Sequence, residues 1–414
     1  MNILITGAQF GNKGAQSLLF STTNEIRSKY ADARLFYLPC DNISNYDVSN
    51  INLKFVYDDQ SKFDCDDIIR RIQRNYKRML IEKKIKKRID NREIVKLSSL
   101  WDEIDLLIDI SGYNLSSKFS VEINNRYLRY ISEAQKHNIA TILMPQSFGP
   151  FSYKNSKIDD KILKILPKVD VICAREQEGV EELKTKYSIC DNVYHYPDLV
   201  LTSNEIDYKN IYNFDYISTF PRLSTDNNVG IIPNEQLISL GDENKILNLY
   251  DELITLLIGM NKNVYIFRHS DDLNFCKKIY NRCNNKNVIL LENDFNCEEY
   301  ALFVKQFDYI IASRFHSVVH AYKAGVPALI LGWSIKYNNL ARIFNQDKYV
   351  VDVTSPSFNK NEVVLEKLVI INDNFKQESE VIKKSLTKVR KNSCFEQLWK
   401  LMDSIQTEGY DNDK

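Results

Sequence analysis

The 414-residue sequence has no excess of charge of either sign, because 55 Lys and Arg residues balance 55 Asp and Glu residues. A formal net charge of zero creates no global attraction to nucleic acid, so no nucleic-acid partner is expected. No apolar run reaches the ~18–20 residues that a membrane-spanning helix needs. The opening residues, MNILITGAQFGN, lack a basic segment, and they predict a first strand instead of a targeting signal.

Several chemical motifs are also missing. The eight cysteines are scattered without a C-x-x-C pair, a pattern typical of reduced thiols in a cytoplasmic protein. His316 and His320 are four residues apart, but Ser317 occupies the glutamate position of H-E-x-x-H and no third ligand is evident. We therefore expect no metal and no resident cofactor. The absence of a G-x-S-x-G elbow argues against a serine hydrolase.

Short apolar runs alternate with helix-like segments along most of the chain. Leu106–Ile110, Ala140–Met144 and Val169–Ala174 are continuous and of strand length, as expected for parallel strands that are covered on both faces. This alternation predicts an α/β protein with two Rossmann-like domains that face a cleft. The predicted divisions are an N-terminal domain over 1–201, a linker over 202–226, a C-terminal domain over 227–355 and C-terminal helices over 356–414.

One segment of the first predicted domain is strongly basic. Between Arg70 and Lys96 there are twelve Lys or Arg residues and three acidic residues, with a partial apolar stripe. The pattern predicts a basic helix over 70–96, which would either rest on anionic lipid at a membrane surface or simply be solvated. The irregular stripe favours the solvated alternative.

Polar residues follow several predicted strands at the edge where open α/β sheets bind ligands. In the first domain they are Asn12 and Lys13 in GAQFGNKGAQ, Gly112, Tyr113 and Asn114 in DISGYN, Gln146 in PQSFGP, and Arg175. The glycine-rich turn fits neither G-x-G-x-x-G nor G-x-x-x-x-G-K-[ST], so the nucleotide-binding fingerprints fail. Each candidate also has an ordinary structural explanation, such as a helix cap, a shaped loop or a surface ion pair.

The segment ASRFHSVVHAYKAGVP, residues 312–327, passes from a predicted buried strand into a helix. Ser313, Arg314 and His316 therefore lie where a strand ends and a helix begins. A helix N-terminus beside an arginine is a good binding position for a phosphate or carboxylate group. His269 ends another predicted strand, where a lone histidine is as readily structural as ligand-binding.

These stretches, in the same order, resemble the polysaccharide pyruvyl transferase family. The similar pieces are GNKGAQ, PQSFGPF, AREQEGVEEL, YPDLVL, VGIIP, the strand-end His269 and SRFHSVVHAYKAGVPALILGWSIK, and the resemblance spans roughly residues 3–345. The resemblance implies a glycosyltransferase-B-like fold. It also implies transfer of a pyruvyl group from phosphoenolpyruvate to sugar hydroxyls of a bacterial surface-polysaccharide precursor, with formation of a pyruvate ketal and release of phosphate.

The family's functional positions can be placed on this chain. Its R-x-H element falls on Arg314 and His316, its strand-end Arg on Arg175, its first-turn Asn on Asn12 and its Lys after the last motif strand on Lys336. Arg314, Arg175 and Lys336 suit the two anionic groups of phosphoenolpyruvate. An imidazolium at His316 suits the general acid. The chain departs from the family at residues 111–113, where many members have a run of glycines, and this leaves acceptor recognition open.

Two other functions remain open from the sequence. A nucleotide-sugar glycosyltransferase of the same architecture would need a carboxylate for the ribose, but no acidic residue occurs between Pro327 and Asp347. A non-enzymatic anion-binding or assembly protein is the third class. For the transferase, the acceptor is expected to be a lipid-linked or nucleotide-linked saccharide. The expected location is the cytoplasm, with a peripheral membrane contact through 70–96 as an option.

Overall fold

The computed structural model describes residues 1–40, 50–60, 94–154, 156–223, 226–283, 285–355, 358 and 360–412. Two sheets of parallel strands organise these residues, and the predicted α/β architecture of two Rossmann-like domains is confirmed. Most of the predicted basic helix, 70–96, lies outside the described residues. Its last three residues, Ile94–Lys96, form a strand, so the predicted helix does not extend to Lys96.

The first domain is built on a sheet of eight strands in the order β4-β3-β2-β1-β5-β6-β7-β8. These strands are β1 Asn2–Thr6, β2 Arg34–Leu38, β3 Lys54–Tyr57, β4 Ile94–Lys96, β5 Leu106–Asp109, β6 Ala140–Gln146, β7 Val171–Ala174 and β8 Val193–His195. β1 pairs in parallel with both β2 and β5. The strands before β5 are therefore added on one side of β1 and the later strands on the other side, so the strand order reverses at β1. Ligands in such sheets bind at this reversal, beside the carboxyl ends of the strands.

Helices cover both faces of this sheet. They are Lys13–Lys29, Val121–Lys136, Ser156–Ile165, Gln177–Tyr187 and the single turn Leu199–Thr202. The first helix begins at Lys13 because Asn12 caps it. The Asn12 side-chain oxygen accepts hydrogen bonds from the backbone N–H groups of Gly14 at 3.0 Å and Ala15 at 3.3 Å, and this satisfies two of the donors that every helix start leaves unpaired.

The second domain is built on a sheet of six strands in the order β11-β10-β9-β12-β13-β14. These strands are β9 Asn228–Ile232, β10 Asn263–Phe267, β11 Val288–Leu291, β12 Tyr309–Ala312, β13 Ala328–Gly332 and β14 Val350–Asp352. The accompanying helices are Gln236–Leu240, Glu243–Gly259, Leu273–Asn281, Cys297–Val304, Phe315–Lys323 and Ile335–Ile343. Here β9 pairs with both β10 and β12, so the loops after these strands mark the second ligand-binding edge.

The last two helices, Glu362–Val389 and Phe395–Asn412, follow the second sheet. The final helix returns to the first domain, where the Gln397 amide donates to Tyr196 Oη at 3.0 Å. No helix in the described ranges combines the length and apolar character needed to cross a bilayer. The described residues of the predicted linker, 202–226, include the end of the turn Leu199–Thr202, the short 3₁₀ turn Tyr208–Asn210 and an isolated bridge between Tyr212 and Ile51. The domain boundaries stay a prediction.

The turn after β1 predicts a measurable backbone constraint. Gly7 has φ of +98°, and a Cβ there would overlap Ser111 Oγ and lie 2.7 Å from Asp109 Oδ2. We predict that Gly7→Ala lowers the free energy of unfolding by about 2–4 kcal/mol, because it combines backbone strain with a clash. Urea unfolding measures this change. The control Gly259→Ala, whose Cβ would meet nothing within 4 Å, should change stability by no more than about 0.5 kcal/mol; equal effects would contradict the prediction.

Candidate active site

The ligand-binding edges of the two sheets meet around His316. A Cβ on Gly14, in the first turn of helix Lys13–Lys29, would overlap the His316 imidazole. One turn further along both helices, Ser17 Oγ lies 2.8 Å from His320 Nε2. The hydrophobic core is continuous across this contact. The absence of a side chain at Gly14 is therefore what allows the imidazole to lie against the first domain.

Asp198 joins the first domain to His316. It is 2% exposed and follows β8, where its Oδ1 caps a short helix by accepting the Val200 N–H at 3.0 Å. Its Oδ2 lies 2.9 Å from Arg175 Nη1 and 3.6 Å from His316 Nε2. One fixed carboxylate thus faces both the predicted strand-end arginine and the predicted general acid.

The His316 imidazole is neutral near pH 7 in the ligand-free protein. Burial lowers its pKa to about 4, Asp198 acts in the opposite direction, and the cations Arg175 and Lys336 lower it further. The predicted imidazolium is therefore not the resting state of this residue. A negative charge that arrived beside it would raise the pKa and favour protonation.

Arg175 is a fully engaged cation. Besides Asp198, its guanidinium donates through Nε to Glu176 Oε1 at 3.0 Å and through Nη2 to Ser147 Oγ at 2.7 Å. Only 6% of its side chain is exposed, and the guanidinium carbon lies 4.5 Å from the ring centre of Phe315. This arginine is therefore positioned to hold other groups in place, with few N–H groups left for a ligand.

Lys336 lies near the same aromatic ring, that of Phe315, but unlike Arg175 it has no carboxylate partner among the described residues. Its Nζ is 5.3 Å from the ring centre of Phe315 and 4.9 Å from that of Trp333. Among the residues that the structure describes, no carboxylate lies within ion-pairing distance of this amine. Burial, followed by the charge of Arg175, lowers its pKa to about 7. Lys336 is therefore available to an anionic ligand.

Arg314 forms an ion pair that uses two of its three guanidinium nitrogens. Its Nε donates to Asp272 Oδ2 at 2.8 Å, and Nη2 donates to the other oxygen of the same buried carboxylate. Nη1 has no acceptor in the described part of the chain. The side chain is 28% exposed and borders a polar cavity of about 430 Å³. The other lining residues are Asn234, Glu235, Gln236, Ile238, Ser239, Glu243 and Lys278.

The predicted Lys13 bridges the two domains. Its Nζ lies 2.6 Å from Asp294 Oδ1, and the other oxygen of Asp294 lies 3.4 Å from Arg268 Nη2. The Lys13 side chain is 5% exposed, whereas that of Asp294 is 64% exposed. Lys13 and the capping residue Asn12 thus fix the start of the first helix against the second domain.

Two predicted ligand-binding residues lie inside the domains instead. Gln146 is 0% exposed; its amide nitrogen lies 3.3 Å from Asp109 Oδ1, and its oxygen accepts from Tyr127 Oη at 2.9 Å. Ser313 is also 0% exposed, with Oγ 3.1 Å from Tyr250 Oη. Buried polar groups with these bonds reach a ligand only by losing them, so both residues support the loops around the site.

The predicted ligand-binding loop at 112–114 follows β5, at the carboxyl ends of the strands of the first sheet. The Gly112 oxygen accepts from the Ser147 N–H at 2.9 Å, and Tyr113 Oη donates to the Gly149 oxygen at 2.8 Å. Asn114 is partly exposed, and its side chain forms no hydrogen bond with the described residues. Of the three residues, Asn114 is the one whose side chain is available to a ligand.

His269 lies beneath the site and not in the open cleft. It is 2% exposed, and its Nδ1 lies 3.0 Å from Ser270 Oγ. Burial lowers its pKa well below the usual range, and the nearby His320 and Lys13 lower it further. Among the described residues, no three His, Cys, Asp or Glu side chains are grouped as metal ligands.

The carboxylates that pair with the predicted cations were not predicted from the sequence. These are Asp198, Asp272 and Asp294, partners of Arg175, Arg314 and Lys13. Asp198 could have been singled out from the sequence, because it lies in the stretch YPDLVL, which resembles the family, and this stretch directly follows a short strand. The other two carry no local pattern that sets them apart from surface acids.

The pKa of Lys336 can be tested by its reactivity. We predict that acetylation of Lys336 by acetic anhydride rises with pH around a midpoint of about 7, because burial lowers its pKa and only the neutral amine reacts. Mass spectrometry of peptides quantifies the rate. Lys278 is the control, since its hydrogen bond to Glu243 raises its pKa and keeps it protonated over this range. A midpoint for Lys336 near the ordinary value of ~10.4 would contradict the prediction.

Comparisons with solved structures identify the fold. The chain is similar to UDP-GlcNAc 2-epimerase from Methanocaldococcus jannaschii, with 11% identity and a TM-score of 0.54 over 92% of this chain and 99% of that one. A putative UDP-N-acetylglucosamine 2-epimerase from Listeria monocytogenes has 7% identity and a TM-score of 0.58, over 93% and 91%. The glycotransferase of kitacinnamycin has 9% identity and a TM-score of 0.51, over 98% of both chains. The fold is glycosyltransferase-B-like, as the resemblance implies.

Sequence comparison identifies the family. No curated protein matches the chain significantly. The family model described as polysaccharide pyruvyl transferase matches residues 12–335, a range that contains Gly14, Arg175, Asp198, Arg314 and His316. Because this match covers most of the chain, the protein belongs to the polysaccharide pyruvyl transferase family.

Proposed function

We propose that the protein transfers a pyruvyl group from phosphoenolpyruvate to two hydroxyls of a saccharide precursor of a bacterial surface polysaccharide. The products are a pyruvate ketal and phosphate. The observation that carries this proposal is Lys336, a cation without a carboxylate partner among the described residues, beside His316 and Arg175. A donor with a carboxylate and a phosphate requires such a cation, and the family match supports the reaction class.

The cations have different roles in this proposal. Lys336 binds one anionic group of the donor, and Arg314 donates to the other through Nη1, while Asp272 keeps its remaining N–H groups in place. Arg175 is a positioning residue, because its bond to Asp198 fixes the carboxylate that faces His316. Our expectation that Arg175 binds the donor directly is thus replaced by an indirect role.

His316 carries the proton transfers. The bound donor has up to three negative charges, which raise the pKa of His316 from about 4 and favour the imidazolium. The imidazolium protonates the methylene carbon of phosphoenolpyruvate, and a first sugar hydroxyl forms a bond to C2 as its proton passes to the now neutral imidazole. Asp198 stabilises the imidazolium that is formed again.

Phosphate then departs with the electron pair of its bond to C2. A neighbouring sugar hydroxyl forms the second bond to C2, and its proton leaves with the phosphate. The two hydroxyl protons are thereby accounted for: one returns to His316 to replace the proton now in the methyl group, and the other leaves on phosphate. Arg314 and Lys336 stabilise the negative charge that develops on the departing group.

The acceptor binds on the first-domain side of His316 in this proposal. Asn114, whose amide forms no hydrogen bond with the described residues, would contact it together with the neighbouring Tyr113. The acceptor saccharide is lipid-linked or nucleotide-linked. A structural neighbour from Neisseria meningitidis was solved with UDP-GlcNAc bound, with 12% identity and a TM-score of 0.55. This likeness concerns the fold, and it supports a test of UDP ligands without deciding between the two carriers.

Ligand-induced stabilisation tests the donor. Phosphoenolpyruvate at ~100 times its dissociation constant should stabilise the folded protein by about 2.7 kcal/mol, which raises Tm measurably. Lys336→Gln should reduce the shift strongly, because it removes the unpaired cation. Arg342→Gln, which removes an exposed cation from the same helix, should keep it. UDP and 3-phosphoglycerate serve as comparison ligands.

The possible outcomes separate the candidate functions. A shift with phosphoenolpyruvate that Lys336→Gln removes supports the transferase. A shift with UDP but not with phosphoenolpyruvate, with or without added saccharide, would contradict the proposed donor and support a nucleotide-sugar glycosyltransferase. Equal shifts for Lys336→Gln and Arg342→Gln would place the donor away from His316.

A further inference from the structure

A second group of cations lies between the two domains, on the opposite side of His316 from Lys336. The neighbouring strands of the second sheet are β10, β9, β12 and β13, in that order. Arg268 directly follows β10, whereas His316 and Lys336 follow β12 and β13. Lys13, from the first domain, shares the carboxylate of Asp294 with Arg268. The proposed reaction uses neither of these two cations.

Asp294 is held differently from the carboxylates that pair with the other cations of the site. Asp198 and Asp272 have 1% and 0% of their side chains exposed, and both also accept hydrogen bonds from backbone N–H groups. Asp294 has 64% of its side chain exposed, and within the described ranges its carboxylate has no hydrogen-bond or ion-pair partner other than the two cations. Exposed ion pairs contribute little to stability, so Asp294 is an exchangeable partner.

The two cations are buried more deeply than the carboxylate that they share. The side chain of Lys13 is 5% exposed and that of Arg268 is 17% exposed. Lys13 Nζ lies 2.6 Å from Asp294 Oδ1, whereas Arg268 Nη2 is 3.4 Å from Oδ2. Arg268 Nε is buried and has no partner in the part of the chain that the structure describes. A guanidinium has five N–H donors, so most of the binding capacity of Arg268 is unused.

The first helix does not depend on the Asp294 bridge for its contact with the second domain. One turn after Lys13, Gln16 Oε1 accepts a hydrogen bond from the Cys297 N–H at 2.8 Å. Cys297 begins the helix that follows Asp294 in the chain. This buried bond keeps the two elements together if Asp294 moves away, and the space that it leaves is bordered by one cation from each domain.

We propose that Lys13 and Arg268 form a binding site for a phosphate group, and that Asp294 occupies this site in the ligand-free protein. A phosphate group has three strong acceptor oxygens and carries more negative charge than one carboxylate. It can therefore accept hydrogen bonds from the ammonium and from the guanidinium at the same time. The bound phosphate displaces Asp294 into solvent and joins the two domains in its place.

The ligand that we assign to this site is the sugar-linked diphosphate of the acceptor, and this assignment rests on the proposed function. Lys13 follows β1, and Asn114 follows β5, its neighbour in the first sheet. Adjacent strands are ~4.8 Å apart, so a saccharide beside Asn114 and His316 has the Lys13 site next to it. Nucleotide-linked and lipid-linked saccharides share a diphosphate at this position of the molecule.

Calorimetric binding of inorganic pyrophosphate tests the site. Lys336→Gln is the starting protein, since it removes the cation that we propose for the donor. In this protein Asp294→Asn should tighten pyrophosphate binding about fivefold, because the competing carboxylate loses its charge. Glu292→Gln is the matched control. It removes one negative charge from the same loop, but Glu292 pairs with Lys277, so the affinity should stay within about twofold.

A further substitution tests the guanidinium. Added to Lys336→Gln and Asp294→Asn, Arg268→Gln should abolish the gain in affinity. Arg268 forms no hydrogen bond through its side chain in the described ranges, so this variant should fold, and its urea midpoint checks that. Equal affinities for Asp294→Asn and Glu292→Gln would overturn the proposal. An affinity that Arg268→Gln leaves unchanged in the folded protein would overturn it as well.

UDP and farnesyl diphosphate distinguish the two sources of the diphosphate. If the acceptor is nucleotide-linked, Asp294→Asn should tighten the binding of UDP, and if it is lipid-linked, that of farnesyl diphosphate. A substitution that tightens the binding of pyrophosphate but of neither carrier diphosphate would overturn the assigned ligand.

The donor measurement is separate from these. Failure of phosphoenolpyruvate to stabilise the wild type would contradict the proposed function, and it would leave the effect of Asp294→Asn on pyrophosphate unchanged. Absence of that effect would overturn the Lys13 and Arg268 site, and it would leave the dependence of phosphoenolpyruvate binding on Lys336 unchanged. The two failures are therefore distinguishable.

Discussion

The carboxylate of Asp198 is the contact on which the arrangement of this site depends. It is fixed by the Val200 N–H and by Arg175 in the first domain, and it faces His316 of the second domain at 3.6 Å. The contact forms only because Gly14 leaves room for the imidazole. An ion pair within the first domain and the absence of a side chain at Gly14 in its first helix thus determine where His316 of the second domain lies.

The distribution of carboxylates explains why one cation is available to a donor. Arg175 is engaged by Asp198 and Glu176, and Arg314 by Asp272, whereas Lys336 has aromatic rings close by and forms no ion pair among the described residues. An unpaired, partly buried amine loses part of its charge as burial lowers its pKa to about 7. An arriving anion would restore that charge, so binding of the proposed donor would be coupled to protonation of Lys336.

The sequence predicted which strand ends carry the residues of the site, but it did not predict which residues contact one another there. Continuous apolar runs located the central strands, and parallel strands bring their carboxyl ends to one edge, so Arg175 and His316 were expected at the cleft. The burial of Gln146 and Ser313 was not predicted, because nothing local shows whether a strand-end polar side chain turns inward. The edge strands β4, β8 and β14 were not predicted, since three residues each are too few to show a period. The ion pairs with Asp272 and Asp294 join residues distant in sequence, and only the folded chain reveals them.

The most direct test of this account is the number of protons taken up when phosphoenolpyruvate binds. Titration calorimetry at pH 8 in buffers of different ionisation enthalpy measures it. With a pKa of about 7, Lys336 is largely neutral at pH 8 before binding, so its protonation should contribute nearly one proton to the uptake, in addition to the proton that His316 gains. In Lys336→Arg, where the charge is permanent, phosphoenolpyruvate should still bind, but the proton that Lys336 gains should no longer be taken up. Binding to the wild type without proton uptake, or equal uptake by both proteins, would contradict the assignment of Lys336 as the donor-binding cation.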